Sequence, residues 1–240
     1  MGIGVGIGLV VPFQGIAGFN PSSISGLLTW YKADAGVLDA SNNPITSDGT
    51  AVKTWQDQSG NSNHLVQSTS TKQPLYKVSQ QNGLPGILFD GTDDFFTTTS
   101  RLSTVRTVFV IHKWTATTGD YRPLIGDSIT YNFHGGAAGG ALFYDGAGAD
   151  TLETRFVYLG KKYVNSVETA HSSVVRYTTY KLVAVTTTAN TYIDQISFDR
   201  NDTPRQFYGQ MGEILAYDSV LSATDRGKVE TYLMSKWGLS

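Results

Sequence analysis

The chain contains no cysteine, which excludes disulfides and thiolate metal sites and leaves its stability to packing. Charge is scarce too: Asp, Glu, Lys and Arg make up 16% of 240 residues, with a net charge of -2. No stretch gathers Lys and Arg into the stripe that phosphate neutralisation requires, so nucleic acid is not expected as a partner. Long apolar runs are missing as well. The apolar stretch from Met1 breaks at Pro12 and falls short of the ~20 residues a spanning helix needs, so no membrane span is expected. Residues 1–31 hold no charged side chain, and Lys32 is the first. A secretory signal would begin with a basic region, and a myristoylation signal would carry Ser or Thr where Gly6 stands.

What is present points to sheet. Glycine is abundant at 26 residues, and Tyr, Phe, Val and Thr supply side chains that suit strands. Short apolar or alternating runs recur between turn signals at 27–31, 86–89, 107–111, 124–126, 141–144, 155–158, 181–186, 191–198 and 210–217, the spacing of an all-β sandwich or jelly roll. One such domain of about 200 to 250 residues accommodates the whole chain. The C-terminus alone reads as helix, at about 223–236: Ser222 and Asp225 form a capping box, Val229, Tyr232 and Leu233 share one face, and Gly238 stands at the stop.

Residues 1–13 differ from everything after them. Gly2, Gly4, Gly6 and Gly8 alternate with Ile3, Val5, Ile7 and Leu9, so an extended strand would carry branched side chains on one face and bare backbone on the other. Two readings fit equally: an arm that anchors to a partner or to another copy by strand addition, or an edge strand of the chain's own domain. A Gly, Pro and Ser linker follows at 14–25, and the domain spans 26–240.

Four blocks carry a resemblance to a known family: LLTWYKADAGV at 27–37, VKTWQDQSGNSNH at 52–64, FYGQMGEILAYD at 207–218 leading to KWGL at 236–239, and the weaker LFDGTDD at 88–94. Together they resemble the concanavalin A-like lectin/glucanase superfamily, in its laminin-G-like jelly-roll branch found in tailed-bacteriophage virion proteins. The likeness runs over 24–239 and is weakest at 114–180. It implies a jelly-roll sandwich of two antiparallel sheets. Glucanases of that fold place acid and nucleophile on one strand as Glu-x-Asp-x-x-Glu, since a retaining mechanism needs two carboxyls about 5 to 5.5 Å apart. Glu153, Glu168, Glu213 and Glu230 are the four glutamates of this chain, and none stands in that pattern. Neither the histidines (His64, His112, His134 and His171) nor any serine forms a zinc or nucleophile motif, so no enzyme is expected.

The residues themselves suggest other roles. Trp30 and Trp55 read as core. Asp57, Asn61 and Asn63 around Gly60 read as turn-closing side chains. Asp90, Asp93 and Asp94 form either a calcium ligand set or a solvated turn, and no other cofactor is expected. Trp114, Asp120, Tyr121 and Arg122 in one loop, with Tyr144 and Asp145 beyond the Gly-Ala stretch at 135–140, are the candidate carbohydrate surface. They could equally cap the sandwich edge.

The leading expectation is a non-enzymatic virion structural protein of a tailed bacteriophage: a capsid decoration, head-fibre or tail-associated subunit. Its arm would bind other virion proteins or copies of itself, and its loops would adhere to cell-surface glycans. The alternative is a free-standing carbohydrate-binding module, extracellular or on a bacterial surface.

Overall fold

The structure is a computed structural model that describes residues 18–144, 152–200 and 205–240. The arm residues Ile3, Val5, Ile7 and Leu9 lie outside that range. Twelve strands and two α-helices are described. The strands are β1 (Leu27–Lys32), β2 (Val37–Leu38), β3 (Thr54–Trp55), β4 (Leu65–Val66), β5 (Leu75–Gln81), β6 (Leu84–Asp90), β7 (Phe96–Trp114), β8 (Ile125–Gly126), β9 (Lys162–Val164), β10 (Val167–Glu168), β11 (Lys181–Ile196) and β12 (Tyr208–Tyr217). The helices are α1 (Leu152–Tyr158) and α2 (Ala223–Trp237). Every strand pairing is antiparallel, so the chain is all-β in its main framework.

The central path runs β10-β9-β11-β7-β12-β6-β5, with β1 beside β12. Its middle strands are buried on both faces, and period two sorts their side chains. Val108, Val110, Val183, Val185, Ile214 and Ala216 enter one core with Trp55, Phe89 and Phe96. The residues between them, Phe109, Ile111, Leu182, Ala184, Leu215 and Tyr217, enter a second core with Trp30, Val229, Leu233 and Trp237. Burial on two sides is why these strands read as continuous apolar runs and not as alternating ones.

The helix α2 covers the second core. Ser222 accepts from the Asp225 N–H at 3.1 Å while Asp225 accepts from the Ser222 hydroxyl, and Gly238 ends the helix at φ 60°. Both caps were legible in the residues. Trp237 needs room against β12, and Gly212 provides it: a Cβ there would lie 2.3 Å from the indole. A register irregularity between Met211 and Glu213 falls at this glycine. Glu213, 0% exposed, thereby turns toward the helix. Its Oε1 accepts from Trp30 Nε1 at 2.7 Å and the Tyr232 hydroxyl at 3.2 Å, and its Oε2 from Lys236 Nζ at 2.8 Å and Trp237 Nε1 at 2.9 Å. One carboxylate thus ties β1, β12 and α2.

Three expectations need correcting. Residues 155–158 belong to α1, not to a strand. Val157 and Thr154, three residues apart, both face the interior, the buried Lys162 donates to the carbonyls of Val157, Tyr158 and Gly160 where the helix stops, and this packing overrides the strand preference of Phe156-Val157-Tyr158. The runs at 181–186 and 191–198 merge into β11. Its shift in register against β7 is bridged by hydroxyls, with Thr191 Oγ1 donating to Val105 O at 3.0 Å. Finally, 141–144 forms a single bridge, Gly135 to Phe143, in place of a strand.

Removing the shared carboxylate with Glu213→Ala leaves two buried indole N–H groups without their acceptor and Lys236 with Asp34 as its remaining carboxylate, and should cost about 2 to 5 kcal/mol in denaturant unfolding. Glu168→Ala, which removes only the exposed pair with Lys161, should stay within about 0.5 kcal/mol in the same measurement.

Candidate functional site

The turn at 57–63 is structural. Asp57 accepts from the N–H of Trp30 at 2.8 Å, of Ser59 at 2.9 Å and of Asn63 at 3.1 Å. Asn61 donates to the carbonyls of Leu27 and Leu28, and Asn63 accepts from Ser100 N at 2.7 Å. Asp57 alone closes the turn on its own backbone, while Asn61 and Asn63, expected to do the same, bond instead to β1 and β7 and clamp the turn to the sheet.

Asp90, Asp93 and Asp94 are brought together, with one carboxylate oxygen of each within 4.8 Å of the others. Hydrogen bonds organise the group. Asp90 Oδ1 accepts from Thr92 N at 2.8 Å, Asp93 N at 3.3 Å and Asp94 N at 3.4 Å, while Asp94 Oδ2 accepts from Asp90 N at 2.9 Å. The turn therefore closes without an ion, although three hard oxygen donors this close could also hold a divalent cation. Burial, reinforced by the negative charges of Asp90 and Asp93, pushes the Asp94 carboxyl up to about 7.

The candidate carbohydrate residues separate into two groups. Trp114 is 1% exposed, edge-on to Phe207 at 4.7 Å and under the Arg176 guanidinium at 4.7 Å. It cannot serve as an exposed platform, because it is the last residue of β7 and its ring falls on the inner face. Arg122 Nη1 donates to the carbonyls of Gly91 and Gln206, and Asp120 accepts from Ala138 N at 2.8 Å. Both hold loops in place. Tyr121 and Tyr144, 23 positions apart in sequence, do meet, with ring centroids 5.9 Å apart and edge to face. Asp145 lies outside the described residues.

These two tyrosines belong to a larger aromatic group. Tyr121 is held at φ 56°, a left-handed conformation that costs energy for a side chain of this size. Its ring stacks on His134 at 5.3 Å and 10°. Tyr144 and Tyr131 meet the same imidazole edge-on at 5.6 and 5.2 Å. Beneath them His134 Nδ1 is bonded to Asp199 Oδ2 at 2.5 Å, both nearly buried. Arg200 lies over the Tyr131 ring and Arg205 over the Tyr121 ring. Sequence reading missed His134, Asp199, Arg200 and Arg205, since no spacing links 121–144 with 199–205.

Tyr121 and Tyr144 wall a cleft of about 300 Å³ floored by Gly136, Ala137 and Gly140. Backbone packs so tightly there that a Cβ on Gly136 would lie 2.0 Å from the Ala141 carbonyl. The cleft adjoins a second one of about 280 Å³ lined by Thr117, Val175 and Arg176, and the two share Gly140. The chemistry available is stacking plus hydrogen bonding. Among the described residues no hydroxyl is bonded to His134.

Comparisons of the chain with protein-family models, curated proteins and solved structures find no match.

The raised Asp94 carboxyl gives the fold a pH signature. In the unfolded chain this group ionises near its ordinary value of 3.8, whereas in the fold it keeps its proton to about 7. Its stabilising contribution is complete below the lower value and is lost as pH rises through the upper one. Melting temperature should therefore climb from pH 8 to pH 5.5 more steeply in the native chain than in Asp94→Asn. A calcium-dependent rise at pH 8 that vanishes in the Asp93→Asn/Asp94→Asn double variant would assign the cluster to metal binding, and no calcium response would leave it a turn.

Proposed function

We propose that the chain is a non-enzymatic structural subunit of a tailed-bacteriophage virion, a decoration, head-fibre or tail-associated protein, whose loops adhere to surface glycans. The antiparallel all-β framework suits the concanavalin A-like jelly roll that the sequence blocks resemble, and the uncharged Gly-alternating arm suits strand addition to a neighbouring subunit.

The observation that carries the adhesive part is the Tyr121–Tyr144 cleft. Sugars present C–H faces that pack on aromatic rings and hydroxyls that need nearby donors and acceptors. Here two half-exposed tyrosines stand at an angle over a floor of small residues and backbone. The left-handed Tyr121 fits the same reading, because strain of this kind is retained where a side chain must be aimed. Three of the four glutamates are engaged in the framework or on its surface. Glu213 is locked under α2, Glu230 pairs with Arg226 at 3.1 Å, and Glu168 lies in an exposed pair with Lys161.

Binding of the full chain to a glycan array should fall about tenfold or more for Tyr144→Ala, as expected for loss of a stacking ring in a well-packed cleft, while the melting temperature changes little. No binding to any glycan by the native chain would overturn the adhesive reading. Deleting residues 1–13 should abolish incorporation into particles while leaving glycan binding intact. Incorporation at the native level would overturn the virion assignment and favour a free-standing binding module.

A further inference from the structure

A buried cation, Arg176, lies at the second cleft without an ion pair among the described residues, and the half-buried Arg122 stands near it. Arg176, 5% exposed, lines the cleft next to Gly140. Its Nη1 donates to the carbonyls of Thr117, Thr118 and Gly119, and its Nη2 to Gly136 O at 2.7 Å, so it reaches the floor of the Tyr121–Tyr144 cleft as well. Arg122 donates only to carbonyls. Among the described residues neither guanidinium forms an ion pair. The Nε of each is buried and has no hydrogen-bond acceptor.

Carbonyl dipoles orient these cations but do not neutralise them, and around Arg176 water is largely excluded. Burial, and then the like charge of Arg122, lowers the Arg176 pKa, and the negative charge of Asp120 offsets this only in part. Asp120, the carboxylate of the same loop, is exposed and already engaged with the Ala138 N–H. A buried charge is ordinarily paired, so Arg176, without an ion pair among the described residues, presents its field to a ligand of opposite sign. The loops 117–122 and 135–140 are thus assembled around positive charge at the point where the two clefts join.

Resting on the reading of the cleft as a glycan site, we infer that the groove running from Tyr144 across Gly140 to Arg176 selects acidic saccharides, polymers of uronic or sialic acid. A sugar ring would pack against Tyr121 and Tyr144 while its carboxylate lies toward Arg176.

The test changes the ligand and leaves the protein intact. Full-length chain is titrated with alginate, hyaluronate and polysialate, each beside its carboxyl-reduced neutral form and beside dextran. The acidic polymer that binds should lose affinity by about tenfold or more on carboxyl reduction. Its binding should weaken as salt rises from ~0.05 to ~0.5 M, and Tyr144→Ala should lower the affinity for it. Equal affinity for an acidic polymer and its reduced form, or for dextran, overturns the charge selection and leaves a neutral-glycan cleft standing. Acid-selective binding that survives unchanged in Tyr144→Ala places the ligand elsewhere and overturns the inference. Binding to none of the polymers or array glycans overturns both readings.

Discussion

The buried carboxylate of Glu213 is the interaction on which the architecture turns. An ionised side chain this deep is tolerable only when its lone pairs are filled by donors, and four of them converge: two indoles, a phenol and an ammonium. Those donors come from β1 near the start of the domain and from α2 at its end, while the carboxylate comes from β12. The arrangement requires all three elements to be in register at once, so it selects one packing of helix on sheet among the many that bulk hydrophobicity would accept. Gly212 belongs to the same device, since the indole of Trp237 occupies the space its side chain would fill.

A similar economy governs the loops. Long irregular segments between strands carry backbone carbonyls that must find donors. Arg122 and Arg176 supply them in clusters, each bridging stretches far apart in the chain. The Gly-Ala segment at 135–140, which in isolation would be among the least ordered parts of the molecule, is held by Arg176, by the Asp120 carboxylate and by close backbone packing at Gly135 and Gly136. The aromatic cleft therefore rests on a rigid floor. The positive charge beside it is a consequence of how the loops are pinned.

Much of the framework was legible in the residues. Trp30 and Trp55 are core, Asp57 closes a turn, and the caps of α2 stand at Ser222 and Gly238, because each of these depends on contacts within a few residues or on a two-residue or helical period. The cleft was legible only in part. Tyr121 and Tyr144 were picked out by type, but Trp114 was misplaced, since the same aromatic side chain serves as platform or core depending on which face of β7 it occupies. His134, Asp199 and the arginines gave no local signal. Nor did Arg176, whose partners lie some forty to sixty residues away.

By itself the sequence determined the all-β class, the C-terminal helix and the turn chemistry, for these follow from composition, periodicity and short-range hydrogen bonding. Tertiary structure alone decided that 155–158 is helical, that Glu213 is a buried junction, and that two tyrosines line one cleft and Arg176 the cleft beside it. Those outcomes depend on which faces of distant strands and loops meet, and on how burial re-weights a charge or a ring once water has been excluded around it.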